Sequence, residues 1–359
     1  MCKPDRKEKS NFSVLLLWHR RKRSRIMNTM CRLIAVLAVF TFVLLNGVRA
    51  YAADAQKYID AAEQYLIDEK VSAAAAEIVK ALKADPNNAK AHDLSGFIAE
   101  LNEDPDAAEK AYKKAIECDS KFHKARLHLG EFYISQERLD DAVKEFEALK
   151  KAKPDMPEAY AALGRAQILK EEYKEAENTL LNGKKTAGAT AELEFLRGMA
   201  CLGLGRSRFK DAVKAFEESI RLDSDYTDAY AALADVYIED GRYTKAAEQL
   251  VQALRIEPDH VEANYLMGRV AVLRKQFPKA LRHFKKVLLV DGENLETHLE
   301  IGLVYQDFKK DFKQAIFHYN KYKSLEGTDS RVDDWLAKAK NNETSGTAEE
   351  EEESKKDEG

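Results

Sequence analysis

Small and large apolar residues alternate with charged residues along this chain at the spacing of an α-helix. The segment from Glu158 to Leu180, EAYAALGRAQILKEEYKEAENTL, returns almost unchanged as DAYAALADVYIEDGRYTKAAEQL from Asp228 to Leu250. In each string two apolar stretches of helical period are separated by a short polar turn. We therefore predict a helical hairpin for each string, and the chain contains more than two copies of it.

The copies follow a period of 34 residues. Small residues recur at that interval, with one step of 36 where GRSRFKDA adds two residues, at Gly96, Gly130, Gly164, Gly198, Ala234, Gly268 and Gly302. A second row of small residues follows twelve positions later, at Ala74, Ala108, Ala142, Ala176, Ala246 and Ala280, with Ala212 and Ala315 displaced by insertions of two residues and one residue. An aromatic or aliphatic residue lies four positions beyond each alanine, as at Phe216. This regularity predicts about eight tandem hairpins.

The small residues have a packing role. Gly164 on the first helix of a hairpin and Ala176 on the second lack bulk, so the two helix axes can approach to the short end of the usual range. Leu163 and Leu180 would then fill the adjacent space.

Turn and start signals agree with this arrangement. Gly241 can adopt the left-handed conformation that ends a helix. Pro105 and Pro278 lie where second helices should begin, and Pro157 where a first helix should begin, at positions that need no amide donor.

These features resemble the tetratricopeptide repeat family, whose 34-residue unit has small residues at its eighth and twentieth positions. The resemblance covers residues 55–327, or eight units. It implies an all-α fold, a right-handed superhelical solenoid whose concave surface is lined by the first helices. Residues 328–341 are predicted to form a capping helix over the last hairpin, since Val332, Trp335, Leu336 and Ala339 have helical spacing. A partner site centred on the tryptophan is the alternative for this segment.

The N-terminal residues 1–52 are predicted to be a leader. A basic flank, RRKRSR, precedes an apolar run within residues 33–48, and small residues follow at Ala50 and Ala52. These are the parts of a secretory signal, with cleavage expected after Ala52 or after Ala50. An uncleaved membrane anchor is the alternative, and both predict that the remainder is exported.

Charge and composition narrow the classes of function. From residue 53 onward there are 47 basic and 60 acidic residues, a formal net charge of −13, which argues against nucleic acid as the main ligand. Residues 342–359, with five consecutive glutamates, are predicted to be a disordered acidic tail. Cys118 and Cys201 are expected to be separate thiols within helices.

We find no motif that indicates an enzyme. The histidines and cysteines do not have the spacing of a zinc site, and the G-x-G of CLGLGRS follows a predicted helix instead of a strand. We therefore predict no catalytic residues, no cofactor and no metal. Chaperone-tail binding is also unsupported, because no three consecutive units carry the lysine, asparagine and arginine set of the family members that grip a C-terminal carboxylate.

The resemblance places the fifth and ninth residues of each unit on the concave face. Candidate partner-binding residues there are Phe97, Leu127, Glu131, Arg165, Phe195, Met199, Asp235, Tyr265, Arg269 and Leu299. The pairs Glu131 with Arg165 and Asp235 with Arg269 occupy adjacent units. They are interpreted either as exposed ion pairs of little energetic value or as sites where the arginines recognise acidic residues of a peptide.

Two functions remain open from the sequence. One is an exported, non-enzymatic scaffold of a bacterial cell envelope that binds a protein or peptide partner in its groove and supports assembly of an envelope complex. The other is an inner-membrane-anchored accessory subunit of a membrane enzyme or of a polysaccharide or pilus export complex. A glycan-binding concave face is a weaker third hypothesis, since Phe97, Phe195 and Tyr265 are irregularly spaced.

Overall fold

The computed structural model describes residues 54–343, and these residues contain helices and turns but no strand. The all-α prediction is confirmed. The predicted leader, residues 1–52, and residues 344–359 of the predicted acidic tail lie outside the described residues. The chain divides after Phe132 into two compact units, whose described parts are residues 54–132 and 133–343.

Seventeen helices are present in the described part of the chain. In chain order they are α1 (54–67), α2 (Val71–Ala84), α3 (Ala89–Leu101), α4 (Pro105–Cys118), α5 (His123–Ser135), α6 (Leu139–Ala152), α7 (Pro157–Leu169), α8 (Tyr173–Thr186), α9 (Ala191–Gly203), α10 (Phe209–Leu222), α11 (Thr227–Glu239), α12 (Tyr243–Ile256), α13 (Val261–Leu273), α14 (Phe277–Val290), α15 (Leu295–Val304), α16 (Phe312–Ser324) and α17 (331–343). Odd-numbered helices up to α15 are the first helices of the predicted hairpins, and even-numbered helices are the second.

Helix starts follow local chemistry. Pro105 and Pro157 are the first residues of α4 and α7, and Pro278 is the second residue of α14, as predicted. Side-chain caps supply acceptors for amides that have no partner within the helix. Asp104 accepts from the amide of Ala107 at 3.0 Å, and comparable caps begin α3, α9, α13, α15 and α16.

The helices of a hairpin meet at the small residues. A Cβ atom added to Gly164 would lie 2.7 Å from Cδ2 of Leu180, and one added to Gly96 would lie 2.6 Å from Cε1 of Tyr112. Real side chains do not approach so closely, so a Cβ atom at either position would force the facing side chain to shift. The eighth-position glycine therefore lies directly against the large residue of the second helix, Leu180 or Tyr112 in these two hairpins.

Successive hairpins pack side by side within each unit. In residues 54–132, α2 packs against α3. In residues 133–343, each second helix from α6 to α14 contacts the first helix that follows it. First helices also contact each other, as α7 with α9, α11 with α13, and α13 with α15. The second unit therefore contains first helices that lie next to one another.

The two-residue insertion forms a short 3₁₀ helix, Arg206–Arg208, before α10. It places the guanidinium of Arg208 against the buried carboxylate of Glu177 on α8, with Nη1 3.2 Å from Oε2, and its Nε lies 2.7 Å from Asp211. Arg208 holds the pKa of Glu177 near 2, more than offsetting the opposite effect of burial. The insertion thus supplies an ion pair that joins neighbouring hairpins.

The one-residue insertion in the last hairpin has a different form. Helix α15 continues as a π-helical turn, Tyr305–Lys309, and the next residue, Lys310, has a φ of 56°. A π turn accommodates one extra residue without breaking the helix.

Helix α17 covers the end of this hairpin. Val332, Leu336 and Ala339 are buried in one cluster with Tyr319 and Tyr322 of α16. A helix that covers the last hairpin is therefore present as predicted, but it spans residues 331–343 instead of 328–341. In residues 54–343, no helix has both the length and the apolar character needed to cross a membrane.

Candidate functional site

The predicted concave-face residues differ in how far they reach the surface. Phe97 on α3 is 42% exposed. Phe195, Met199 and Tyr265 are partly buried against the core of the second unit, and Leu299 packs partly against the cluster under α17. Leu127 on α5 is also partly buried. Phe97 is therefore the apolar candidate that is most available to a partner.

Phe97 borders a cavity of about 540 Å³ in the first unit. The apolar walls come from Leu66 and Ile67 at the end of α1, Leu94 and Phe97 on α3, and Phe122 just before α5. Ile67 is 75% exposed. Sequence reasoning identified Phe97 but missed the other four residues, because they come from three separate hairpins and only packing brings them together.

Charged residues surround this pocket, which we call the Phe97 pocket. Glu63 on α1 forms an ion pair of 2.7 Å with Lys90 on α3. Asp93, only 2% exposed, accepts a hydrogen bond of 2.9 Å from Nδ1 of His128. Lys124, at the start of α5, is exposed and also lines the pocket. Both carboxylates therefore have partners within the pocket.

In the second unit, aromatic side chains follow the row of first helices. The ring of Phe195 on α9 lies 5.3 Å from that of Tyr226, and the ring of Tyr265 on α13 lies 6.1 Å from Phe284. Both pairs have the offset or tilted geometry that aromatic rings prefer, and Phe195 and Tyr265 remain partly exposed.

Arg269 on α13 is brought together with Asp235 on α11, as expected from their positions in adjacent units. Its Nη1 atom lies 3.8 Å from Asp235 Oδ1, and its guanidinium lies 5.9 Å from the centre of the Tyr265 ring. Arg165 on α7 forms an ion pair with Glu192 on α9. Glu131 is exposed and belongs to the first unit.

More carboxylates than cations surround Arg269. Burial raises the pKa of Asp235, Glu262 and Glu300 above their usual values, and Arg269 only partly offsets this effect at each of them. The negative charge of Asp235 adds to the increase in the pKa of Glu262. The neighbourhood of Arg269 is therefore acidic, which does not favour the hypothesis that this arginine recognises an acidic peptide.

No group of three or more potential metal ligands occurs in residues 54–343. Cys201 is buried beside Glu177, and burial raises the pKa of its thiol to about 11. A thiol with so high a pKa is a poor nucleophile at neutral pH.

Two family models described as tetratricopeptide repeat match the sequence. One matches residues 100–155, 204–270 and 237–298, and the other matches residues 59–122. Together they cover just over half of the chain. The chain belongs to the tetratricopeptide repeat family. Such repeats indicate a scaffold that binds protein or peptide partners.

One curated protein is similar to part of the chain. DnaJ homolog subfamily C member 3 from Bos taurus is 24% identical over 204 residues, which is 53% of this chain and 40% of that protein. The chain thus spans less than half the length of that curated relative.

Solved structures show the same fold. A chain in the crystal structure of the APC/C hetero-tetramer Cut9-Hcn1 has a TM-score of 0.58 and 17% identity, over 79% of this chain and 55% of that chain. A tetratricopeptide repeat protein from Parabacteroides merdae ATCC 43184 has a TM-score of 0.53 and 13% identity, over 80% and 99% of the two chains.

The second residue of each tetratricopeptide repeat adds a feature that sequence reasoning missed. It is lysine in two repeats of the first unit, Lys90 and Lys124, and acidic in the five repeats after them, at Glu158, Glu192, Asp228, Glu262 and Glu296. The second position therefore changes from basic to acidic between the third and fourth repeats.

Proposed function

We propose that this protein is a non-enzymatic scaffold of a bacterial cell envelope, exported from the cytoplasm, which holds a polypeptide partner against the first helices of its tetratricopeptide repeats and supports assembly of an envelope complex. The row of first helices with partly exposed aromatic and charged side chains is the observation that carries the proposal. Export is supported by the basic flank, the apolar run and the small residues at Ala50 and Ala52.

Site-specific photocrosslinking tests where the partner binds. A photoreactive phenylalanine analogue replaces Phe97 or Tyr265 on first helices, or Val79 or Leu289 on second helices. Val79 and Leu289 are 66% and 85% exposed, so they are matched surface controls. We expect crosslinks to an envelope protein from the two first-helix positions only. Equal crosslinking from all four positions, or none from Phe97 and Tyr265, would contradict the proposal.

The second candidate function is a subunit that stays anchored in the inner membrane and organises a membrane enzyme or an export complex. It is favoured by the apolar run that begins at Leu33, which an uncleaved leader would retain. N-terminal sequencing of the protein purified from its host separates the two candidates. A mature start at Ala53 supports the cleaved scaffold, whereas an intact leader together with membrane fractionation supports the anchored subunit.

A further inference from the structure

The Phe97 pocket combines an apolar cavity with unusually exposed apolar side chains. Ile67 and Phe97, which both line it, are 75% and 42% exposed and come from the neighbouring first helices α1 and α3. Soluble proteins seldom leave several large apolar side chains exposed together unless the surface binds another molecule. The cavity of about 540 Å³ has room for a large side chain of a polypeptide.

The charges around the pocket define what can enter it. Glu63 is paired with Lys90, and Asp93 is paired with His128. Lys124 has no ion-pair partner among the described residues, and it is exposed and lines the pocket. Lys90 offsets Glu63, and the buried Asp93 is engaged by His128, so the exposed Lys124 is the charged group of the lining that remains for a ligand. A ligand with a carboxylate beside its apolar group would complement it.

We propose that the Phe97 pocket binds an acidic segment of the partner polypeptide, with a large apolar side chain in the cavity and a neighbouring carboxylate on Lys124. This inference rests on the proposed scaffold function and specifies the chemistry of one binding site. The second positions from Glu158 to Glu296 are acidic, so they do not offer such a segment a cation equivalent to Lys124.

Three fluorescein-labelled peptides test the proposal by fluorescence polarisation with the full-length protein. Each contains one phenylalanine and one leucine at the same positions, and the charged positions are all aspartate, all serine or all lysine. We expect the aspartate peptide to bind at least about tenfold more tightly than the other two at low salt. That preference should shrink as salt is added, because screening weakens exposed charge pairs.

Two exposed positions allow variants that leave the fold intact. Phe97→Ala should weaken binding of the aspartate peptide by about tenfold or more, as expected for a central aromatic contact. Lys124→Glu should weaken the aspartate peptide and strengthen the lysine peptide. Leu289→Ala and Lys338→Glu remove an exposed apolar residue and an exposed lysine from the second unit, and they should bind all three peptides as the unmodified protein does.

Equal affinity for the three peptides, or an aspartate peptide that does not bind, would overturn the proposal. So would Phe97→Ala and Lys124→Glu variants that bind like the two controls. Crosslinking at Tyr265 is independent of these results. If the peptide preference is absent but Tyr265 still captures a partner, the pocket assignment fails and the scaffold function remains.

Discussion

His298 and His318 share a hydrogen bond of 2.9 Å between their Nδ1 atoms inside the last hairpin. His298 also uses Nε2 toward the carbonyl oxygen of Gly292 at 3.2 Å, so Nε2 must carry the proton. The Nδ1 atom of neutral His298 is then an acceptor, and His318 donates. Two protonated imidazoles could not form this hydrogen bond, because each would present an N–H to the other.

Acidification should weaken this end of the protein. Burial, the neighbouring His298 and Lys285 lower the pKa of His318 to about 4 from an ordinary value of 6.5. As the pH falls, His318 therefore binds a proton in the unfolded chain at a higher pH than in the folded protein. The stabilisation is complete above pH 6.5 and is lost as the pH falls toward 4. We expect a loss of about 2 kcal/mol from His318 between pH 7 and pH 5.

Urea unfolding followed by Trp335 fluorescence measures this loss, since Trp335 is the only tryptophan after residue 53 and its ring lies 6.2 Å from that of Tyr319. The variant His318→Gln cannot titrate, and its unfolding free energy should depend less on pH in this window. His283, whose pKa burial also lowers to about 4, should contribute similarly to α14. An identical pH dependence for both proteins would refute the role of His318.

Gly198, the eighth-position glycine of the fifth repeat, allows a test in which a second substitution restores stability. A Cβ on Gly198 would lie within 2.7 Å of Cδ1 of Phe216. Gly198→Ala should therefore destabilise the protein by about 1–3 kcal/mol through overpacking. The sixth repeat has Ala234 at the equivalent position and Leu250 instead of an aromatic ring in the same core cluster.

The double variant Gly198→Ala, Phe216→Leu copies that combination and should recover part of the loss. Thermal and urea unfolding of the single and double variants measure the coupling. If the double variant loses as much stability as the sum of the two single variants, steric contact with the ring is not the cause.

The sequence predicted the fold well because the period is set by steric requirements. Only a residue without a large side chain fits at Gly164 or Gly198. The small residues in the sequence therefore marked the positions where two helices meet. The π turn at Tyr305–Lys309 was detectable only as a one-residue shift of Ala315. Spacing shows that a residue has been inserted but not which backbone conformation absorbs it.

The candidate site was less predictable. From the sequence, Arg269 was a candidate for recognising acidic residues of a partner. In the structure it lies near three carboxylates from three repeats, Asp235, Glu262 and Glu300. The Phe97 pocket likewise requires side chains from three hairpins. Both depend on contacts between repeats, whereas periodicity describes positions within one repeat.

Turn residues offer a stabilising change that the sequence does not suggest. In six hairpins, the turn residue with positive φ is not glycine, with φ between 56° and 61°: Glu69, Glu103, Glu137, Glu171, Lys275 and Lys310. A residue with a Cβ atom is strained by about 1–2 kcal/mol in this region. The equivalent residues in the fifth and sixth repeats are Gly205 and Gly241.

Glu103→Gly and Glu171→Gly should each raise the unfolding free energy by about 0.5–1 kcal/mol, since part of the relieved strain is offset by the greater freedom of glycine in the unfolded chain. Gly241→Ala is the reverse change and should lower it by a similar amount. Scanning calorimetry on the three variants provides the measurement. A lower melting temperature for both glutamate replacements would show that the turns are not strained.

Arg208 should contribute far more to stability than an exposed arginine with similar ion-pair geometry. Its partner Glu177 is 5% exposed. The variant Arg208→Gln removes the main counterion of this buried carboxylate, so its unfolding free energy should be lower by about 3 kcal/mol. Arg221, which bonds Glu218 at 2.7 Å and 2.8 Å on the surface of α10, is the matched control, and Arg221→Gln should cost less than about 1 kcal/mol. Urea unfolding at pH 7 compares the two variants.

Below pH 4.5 the difference should shrink toward pH 2, since the depressed pKa of Glu177 stabilises the fold only while the unfolded carboxyl is ionised. Equal losses for both variants at pH 7 would mean that the inserted turn does not anchor α8 to α10 through this pair.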